Sequence, residues 1–160
     1  MAAAETYPEL AALAPRLDEL ARLLKVRSVL VMRSEPSAMA VAATAGAAAE
    51  HYPVGAVGKK AGDDQGRVPL YCERVVDTDE EVFVRDSRVD DLFKGNEDEV
   101  EFGLTNYLGL PVHDAAGAVV GTVCVLDDAA REYTDAQRAE LAGLRAQVEA
   151  IVRSDGSALG

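Results

Sequence analysis

The chain has 160 residues, enough for one domain with a core of its own, and 49% of them are apolar, which excludes a disordered polymer. Its 28 acidic and 16 basic residues leave a formal charge of −12, which argues against nucleic acid or an anionic membrane as partner. No apolar run approaches the ~20 residues that span a bilayer, and the N-terminal MAAAETYPELAALAPR has neither the basic start nor the apolar run of a signal peptide, so a cytoplasmic protein is expected.

In chain order, Thr6-Tyr7-Pro8-Glu9 has the Thr-x-x-Glu form of a capping box. Leu10, Leu13, Leu17, Leu20 and Leu24 follow at spacings of three and four, one face of a helix. Pro15 interrupts that stripe, predicting a kink there or a main helix that begins near Pro15 and ends at Leu24. Val26–Arg33 predicts a first strand and Met39–Ala45 a second, with Ser34-Glu35-Pro36-Ser37 as the turn. Alanine-rich AATAGAAAE also favours helix, so the second strand leans on the resemblance drawn below. Glu50–Gly66 holds Pro53, Gly55, Gly58, Gly62 and Gly66 and reads as a mobile loop, a candidate lid. Gly55–Lys60 lacks the spacing of a phosphate loop, and no Ser or Thr follows its lysines, so that reading is rejected.

Pro69 suits an early helix position, and Val68, Tyr71, Cys72, Val75 and Val76 share one face, predicting a short helix over Val68–Val76. Val82–Val84 reads as a short strand, and Val89–Phe93 and Asp98–Gly103 as helical turns. Asn106–His113 and Val119–Leu126 form a β-hairpin about the turn Asp114-Ala115-Ala116-Gly117. The second of these strands is apolar on both faces, which predicts a central strand of a sheet covered on both sides. Gly109 and Gly121 mark a bulge or a close approach within it. Thr134-x-x-Gln137 is a second capping box, starting a helix to about Val152 with the stripe Leu141, Leu144, Val148 and Ile151. Residues 1–153 then make one domain and 154–160 a loose tail. The order predicts an α+β fold: a central antiparallel sheet of five to six strands, terminal helices on one face, short helices and loops on the other.

Few residues here point to catalysis. Cys72 and Cys124 lie in apolar segments outside any Cys-x-x-Cys and read as two unpaired buried thiols, small hydrophobes. His51 and His113 read as surface or turn residues. Glu97, Asp98, Glu99 and Glu101 lack the spacing of a calcium loop, and no metal is expected. No residue names a cofactor.

The hairpin TNYLGLPVHDAAGAVVGTVCVLDD, with LYCERVV, EVFVRDSR and KGNEDEVEFG before it and YTDAQRAELAGL after it, resembles GAF domains from about Leu10 to Val152. The resemblance implies a small-molecule pocket between the sheet and the middle helices, walled by Tyr71, Cys72, Val75, Phe83, Asp86, Asn96, Phe102 and Tyr107. Each aromatic is read either as ligand wall or as core filler, and Asp86 either as a polar wall group or as the cap of a turn at Ser87. The Asn-Lys…Phe…Asp-Glu signature of the phosphodiesterase-type branch is absent, and neither cysteine precedes a histidine as in the phytochrome-like branch. The leading expectation is a non-enzymatic sensory or regulatory domain that binds a small molecule and signals in trans, by self-association or through a signalling protein partner. Two alternatives remain: an enzyme resembling the free methionine-R-sulfoxide reductases, using Cys72 or Cys124, and an interaction module with no ligand. GAF domains often pair through terminal helices; Ala139, Ala142, Ala146 and Ala150, with Ala12 and Leu23, lie off the main stripes and point to a homodimer.

Overall fold

The computed structural model describes residues 8–155 and Leu159. Leu10 and Leu13 sit on a 3-10 turn, Pro8–Leu13, which runs into helix α1, Ala14–Leu24. Pro15 lies in the first turn of α1, where its missing N–H has no intrahelical acceptor to lose, so the proline starts the helix rather than kinking it. The capping box expected at Thr6 lies outside the described residues.

Strands β1 (Ser28–Ser34) and β2 (Ala38–Ala45) follow, and then β3 (Val57–Lys59). The stretch Glu50–Gly66 is thus not loop throughout. It contains a 3-10 turn, Ala49–His51, and β3, an edge strand held on Ala38–Ala40 of β2. Three residues with a central glycine carry too little periodicity for a strand to be read; the ladder to β2 makes it one. Helix α2 (Tyr71–Thr78) and helix α3 (Glu97–Phe102), with strand β4 (Val82–Val84) between them in the chain, come next, the two helices forming the middle layer; then β5 (Asn106–His113), β6 (Val119–Asp127) and helix α4 (Asp135–Ser154) complete the chain. Helix α2 begins three residues later than expected because Leu70 is its N-cap, and the Glu73 carboxylate accepts the Leu70 N–H at 3.1 Å.

The six strands form one antiparallel sheet in the order β3-β2-β1-β6-β5-β4. β6 lies between β1 and β5, as its two apolar faces require. Val123 and Val125 face the terminal helices, and Cys124 and Leu126 face the middle layer. Gly121 stands where a Cβ would sit 2.0 Å from the Met32 carbonyl oxygen of β1, and the β5–β6 register slips beside it, between Val112 and His113.

Two cores result. On one face α1 and α4 bury Leu10, Leu17, Leu20, Leu24, Leu141, Leu144 and Val148 against the sheet. Val152 ends the α4 stripe in place of Ile151, which is half-buried, because eleven residues from Leu141 is nearly three whole turns. The Thr134–Gln137 box closes α4 as read: Gln137 N–H donates to Thr134 Oγ1 at 3.1 Å, and Thr134 N–H to Gln137 Oε1 at 2.9 Å. Arg16 of α1 donates to Glu140 of α4 at 2.7 Å. Leu159 is also buried on this face. On the other face, α2 and the loops enclose Leu30, Met39, Tyr71, Val75, Tyr107 and Leu126. No helix among the described residues is long and apolar enough to cross a membrane.

Candidate functional site

A cavity of about 160 Å³ opens in the second core, between the sheet and α3. Its floor is apolar: Leu30 and Met32 of β1, Met39 and Val41 of β2, and Leu126 of β6. These residues alternate along their strands with the helix-facing set, so the pleat alone presents them on this side. The walls are Leu70 and Cys72 from the start of α2, Tyr52 and Ala56–Gly58 from the loop and β3, and Asp98 and Phe102 from α3. The half-buried Glu97 and the exposed His51 and Glu101 also belong to its lining.

Helix α3 is set by Asn96, a fully buried N-cap whose Oδ1 accepts from the Asp98 and Glu99 N–H groups and whose side-chain amide donates to the Phe93 carbonyl. That cap turns Asp98 and Phe102, four residues apart, to the same inward face. The Tyr52 hydroxyl donates to Asp98 Oδ1 at 2.6 Å. Among the described residues no donor reaches Asp98 Oδ2. Burial pushes the Asp98 carboxyl up to about 6, a rise that the bond from Tyr52 only partly offsets. Burial likewise pushes the Tyr52 hydroxyl far above its usual range. Phe102 meets Tyr52 edge-on at 5.1 Å and stacks on His51 at 4.8 Å. The neighbouring Glu99 faces elsewhere, accepting from Ser87 Oγ at 2.7 Å and the Gly95 N–H at 3.1 Å.

Behind the wall, the two cysteines touch. Cys72 Sγ on α2 lies 3.9 Å from Cys124 Sγ on β6, and both are buried. They are buried and free of a disulfide, as read, but in contact with each other. The Tyr107 hydroxyl donates to Cys72 Sγ at 3.3 Å. Its ring passes over Gly109, where a Cβ would come within 2.1 Å of that hydroxyl oxygen, so the glycine makes room for the contact.

Of the eight expected wall residues, Cys72 and Phe102 line the cavity. Tyr71, Val75 and Tyr107 are wholly buried in the core beside it; the Tyr71 hydroxyl donates to the Leu104 carbonyl at 3.0 Å, and its ring stacks on Tyr107 at 4.8 Å. Asp86 caps the turn Ser87–Val89, accepting from Arg88 N–H at 3.1 Å. Asn96 caps α3. Phe83 lies on the opposite face of the sheet, edge-on to Tyr133 at 6.1 Å, because it alternates with Val82 and Val84 along β4.

His51, Tyr52 and Asp98 are among the lining residues not singled out as wall from the sequence. Helical spacing offered one signal, since a carboxylate four residues before an inward Phe102 shares its face. His51 and Tyr52 carry none, because they reach α3 only through the tertiary fold.

The GAF domain family model matches residues 9–152. A search of curated proteins returned no match. Among solved structures, a GAF domain/HD domain protein from Geobacter sulfurreducens is 17% identical with a TM-score of 0.67, over 95% of this chain and 96% of that one. The GAF domain of a phosphoenolpyruvate-protein phosphotransferase from Coxiella burnetii is 17% identical with a TM-score of 0.68, over 92% and 85%. Free methionine-R-sulfoxide reductase from Neisseria meningitidis, solved with its substrate, is 14% identical with a TM-score of 0.65, over 88% and 75%. The family match spans nearly all of the chain, and the antiparallel sheet between terminal helices and a middle layer agrees with it: the chain belongs to the GAF domains, a family of small-molecule-binding sensory and regulatory domains.

Proposed function

We propose that this domain is a sensory or regulatory module that binds a compact small molecule in the cavity over β1 and β2. The observation that carries the reading is a cavity with an apolar floor and carboxylates in its wall, among them Asp98, whose Oδ2 meets no donor among the described residues. A cavity near 150 Å³ accommodates a single aromatic ring, so the 160 Å³ here limits the ligand to about that size. Its body packs on Leu30, Met39 and Leu126, and a hydrogen-bond donor or positive group meets Asp98. Tyr52, Cys72, Asp98 and Phe102 are the wall residues assigned to it, with Tyr71, Val75 and Tyr107 as the packed layer that supports them. Native mass spectrometry of freshly purified protein tests for a retained molecule, and a thermal-shift screen of ring-sized amines and amides tests for added ones. Binding that weakens in Phe102→Ala is the expected result; no retained mass and no stabilising compound would overturn the reading.

The signal passes in trans, through a partner or a second copy of the chain. Leu23 is 55% exposed, and Ala139, Ala146 and Ala150 are exposed on α4, so α1 and α4 offer a small-residue outer face that suits helix pairing. Light scattering across micromolar concentrations is expected to show a dimer in the wild type and a monomer in Ala146→Glu. A wild type that stays monomeric removes the dimer.

The reductase reading stands second, favoured by one observation: two thiols in contact, one of them at the cavity wall. Turnover of free methionine-R-sulfoxide with a thiol reductant, lost in Cys72→Ser, would put it first.

A further inference from the structure

Cys72 and Cys124 are 52 positions apart in the chain, yet their sulfurs meet across the contact between α2 and β6. A disulfide needs S–S near 2.05 Å, so the pair at 3.9 Å must close by just under 2 Å. The two thiols are not equivalent. Cys72 lines the cavity, which opens between exposed rim residues and is several times the volume of a peroxide; Cys124 is wholly buried behind it and does not line the cavity. We propose that Cys72 and Cys124 form a peroxide-oxidisable dithiol, in which Cys72 takes the oxidant through the cavity and Cys124 resolves it to an intramolecular disulfide.

The surroundings fit that division of labour. A thiol is oxidised as its thiolate. Cys72 is bonded by Cys124 and receives the Tyr107 hydroxyl at 3.3 Å, and these bonds together hold it low against burial; burial pushes Cys124 well up. Asp98 lies across the same cavity and opposes ionisation of both. Cys72 is therefore the better nucleophile and Cys124 the retained thiol. In the first step the Cys72 sulfur attacks one peroxide oxygen, the O–O bond breaks, and the departing hydroxide takes up the proton given up by the Cys72 thiol and leaves as water, giving a sulfenic acid on Cys72. In the second, the Cys124 sulfur attacks the Cys72 sulfur, the S–OH bond breaks, and the hydroxyl takes up the Cys124 proton and leaves as a second water. Two thiols and one peroxide become one disulfide and two waters, with no other reductant or oxidant. This proposal is independent of which ligand the cavity holds.

The test uses the full chain, reduced and freed of reductant, then treated with hydrogen peroxide at equal and modestly higher concentration. The expected result is loss of both alkylatable thiols on denaturation and a crosslinked peptide joining Cys72 to Cys124, both reversed by dithiothreitol. In Cys124→Ser, dimedone is expected to label position 72; in Cys72→Ser, position 124 stays unlabelled. The wild-type measurements need no variant, so a variant that fails to fold leaves the proposal exposed to test. Two thiols still alkylatable after peroxide, or disulfides joining separate chains, would overturn it; preferential dimedone labelling of Cys124 would overturn the assigned roles.

Discussion

At the scale of single residues, Tyr107 and Asp98 show how burial gives the same layer two different tasks. Tyr107 is wholly buried, stacked on Tyr71 and bonded to a sulfur. Truncating it removes a ring from a closed core, and Tyr107→Ala is expected to cost about 3–5 kcal/mol in denaturant unfolding. A near-zero change would place the ring against open space instead. Asp98 is the opposite case, a carboxyl whose ionised form is disfavoured by burial and raised from 3.8 to about 6. A raised acid means the folded state holds its proton more tightly, so the contribution of Asp98 to stability falls as pH rises from about 4 through 6 and is then level. Asp98→Asn keeps an acceptor for the Tyr52 hydroxyl and does not titrate. Its stability relative to wild type is therefore expected to rise by on the order of 2–3 kcal/mol across that window. Equal pH profiles for the two proteins would show that Asp98 is not disfavoured as a charge.

At the scale of elements, Glu73 ties a loop to a helix. It is buried at 3% exposure, and its carboxylate accepts the N–H groups of Ala61, Gly62 and Leu70 at 2.9, 2.8 and 3.1 Å. One side chain thus satisfies the start of α2 and holds the segment that leads from β3 past the cavity. Glu73→Ala strands three donors, and about 2–3 kcal/mol of destabilisation is expected in chemical unfolding, with faster hydrogen exchange at Ala61 and Gly62. Unchanged exchange at both amides would show that the loop is held by other contacts. The Asn106 side chain does the same at the other end of the sheet. Its amide donates to the carbonyls of Val84, Arg85 and Arg131, and its oxygen accepts the Tyr133 hydroxyl at 2.6 Å.

At the scale of the whole molecule, His113 joins the two layers. Its ring lies between Asp79 at the end of α2 (Nε2, 2.6 Å) and Glu149 of α4 (Nδ1, 2.8 Å). Asp79 first, then Glu149, raises the His113 imidazole above its usual value; burial pushes Glu149 up, but the backbone and ring of His113 outweigh it and hold Glu149 low. A raised histidine stabilises the fold fully below its unfolded value of 6.5, and that contribution is lost as pH rises through the higher folded value. Glu149 stabilises above its unfolded 4.5, and its contribution is lost as pH falls through the lower folded value. The joint is strongest between these limits. The advantage of wild type over His113→Gln in unfolding free energy is expected to be on the order of 1 kcal/mol near pH 5.5 and to shrink at alkaline pH. An advantage constant with pH would mean that the imidazole titrates alike in the folded and unfolded states.

The elements were legible in the sequence because each has its own local period. The leucine stripe of α1, the doubly apolar β6, the Thr134–Gln137 box and the glycines at 109 and 121 all follow from spacing and backbone sterics, and together they specify an antiparallel sheet with helices at both ends. The site was legible only in part. Cys72 and Phe102 lie on inward faces that periodicity reveals, whereas Phe83 belongs to a strand of three residues, too short for its pleat to say which face is which. Caps and wall groups share one chemistry in a sequence, so Asp86 read equally as either and Asn96, read as wall, proved to be a cap. The meeting of Cys72 with Cys124, of Tyr52 with Asp98, and of His113 with two carboxylates was decided by the tertiary structure alone. Each depends on the stacking of layers, which brings together side chains 34 to 52 positions apart that no local pattern links.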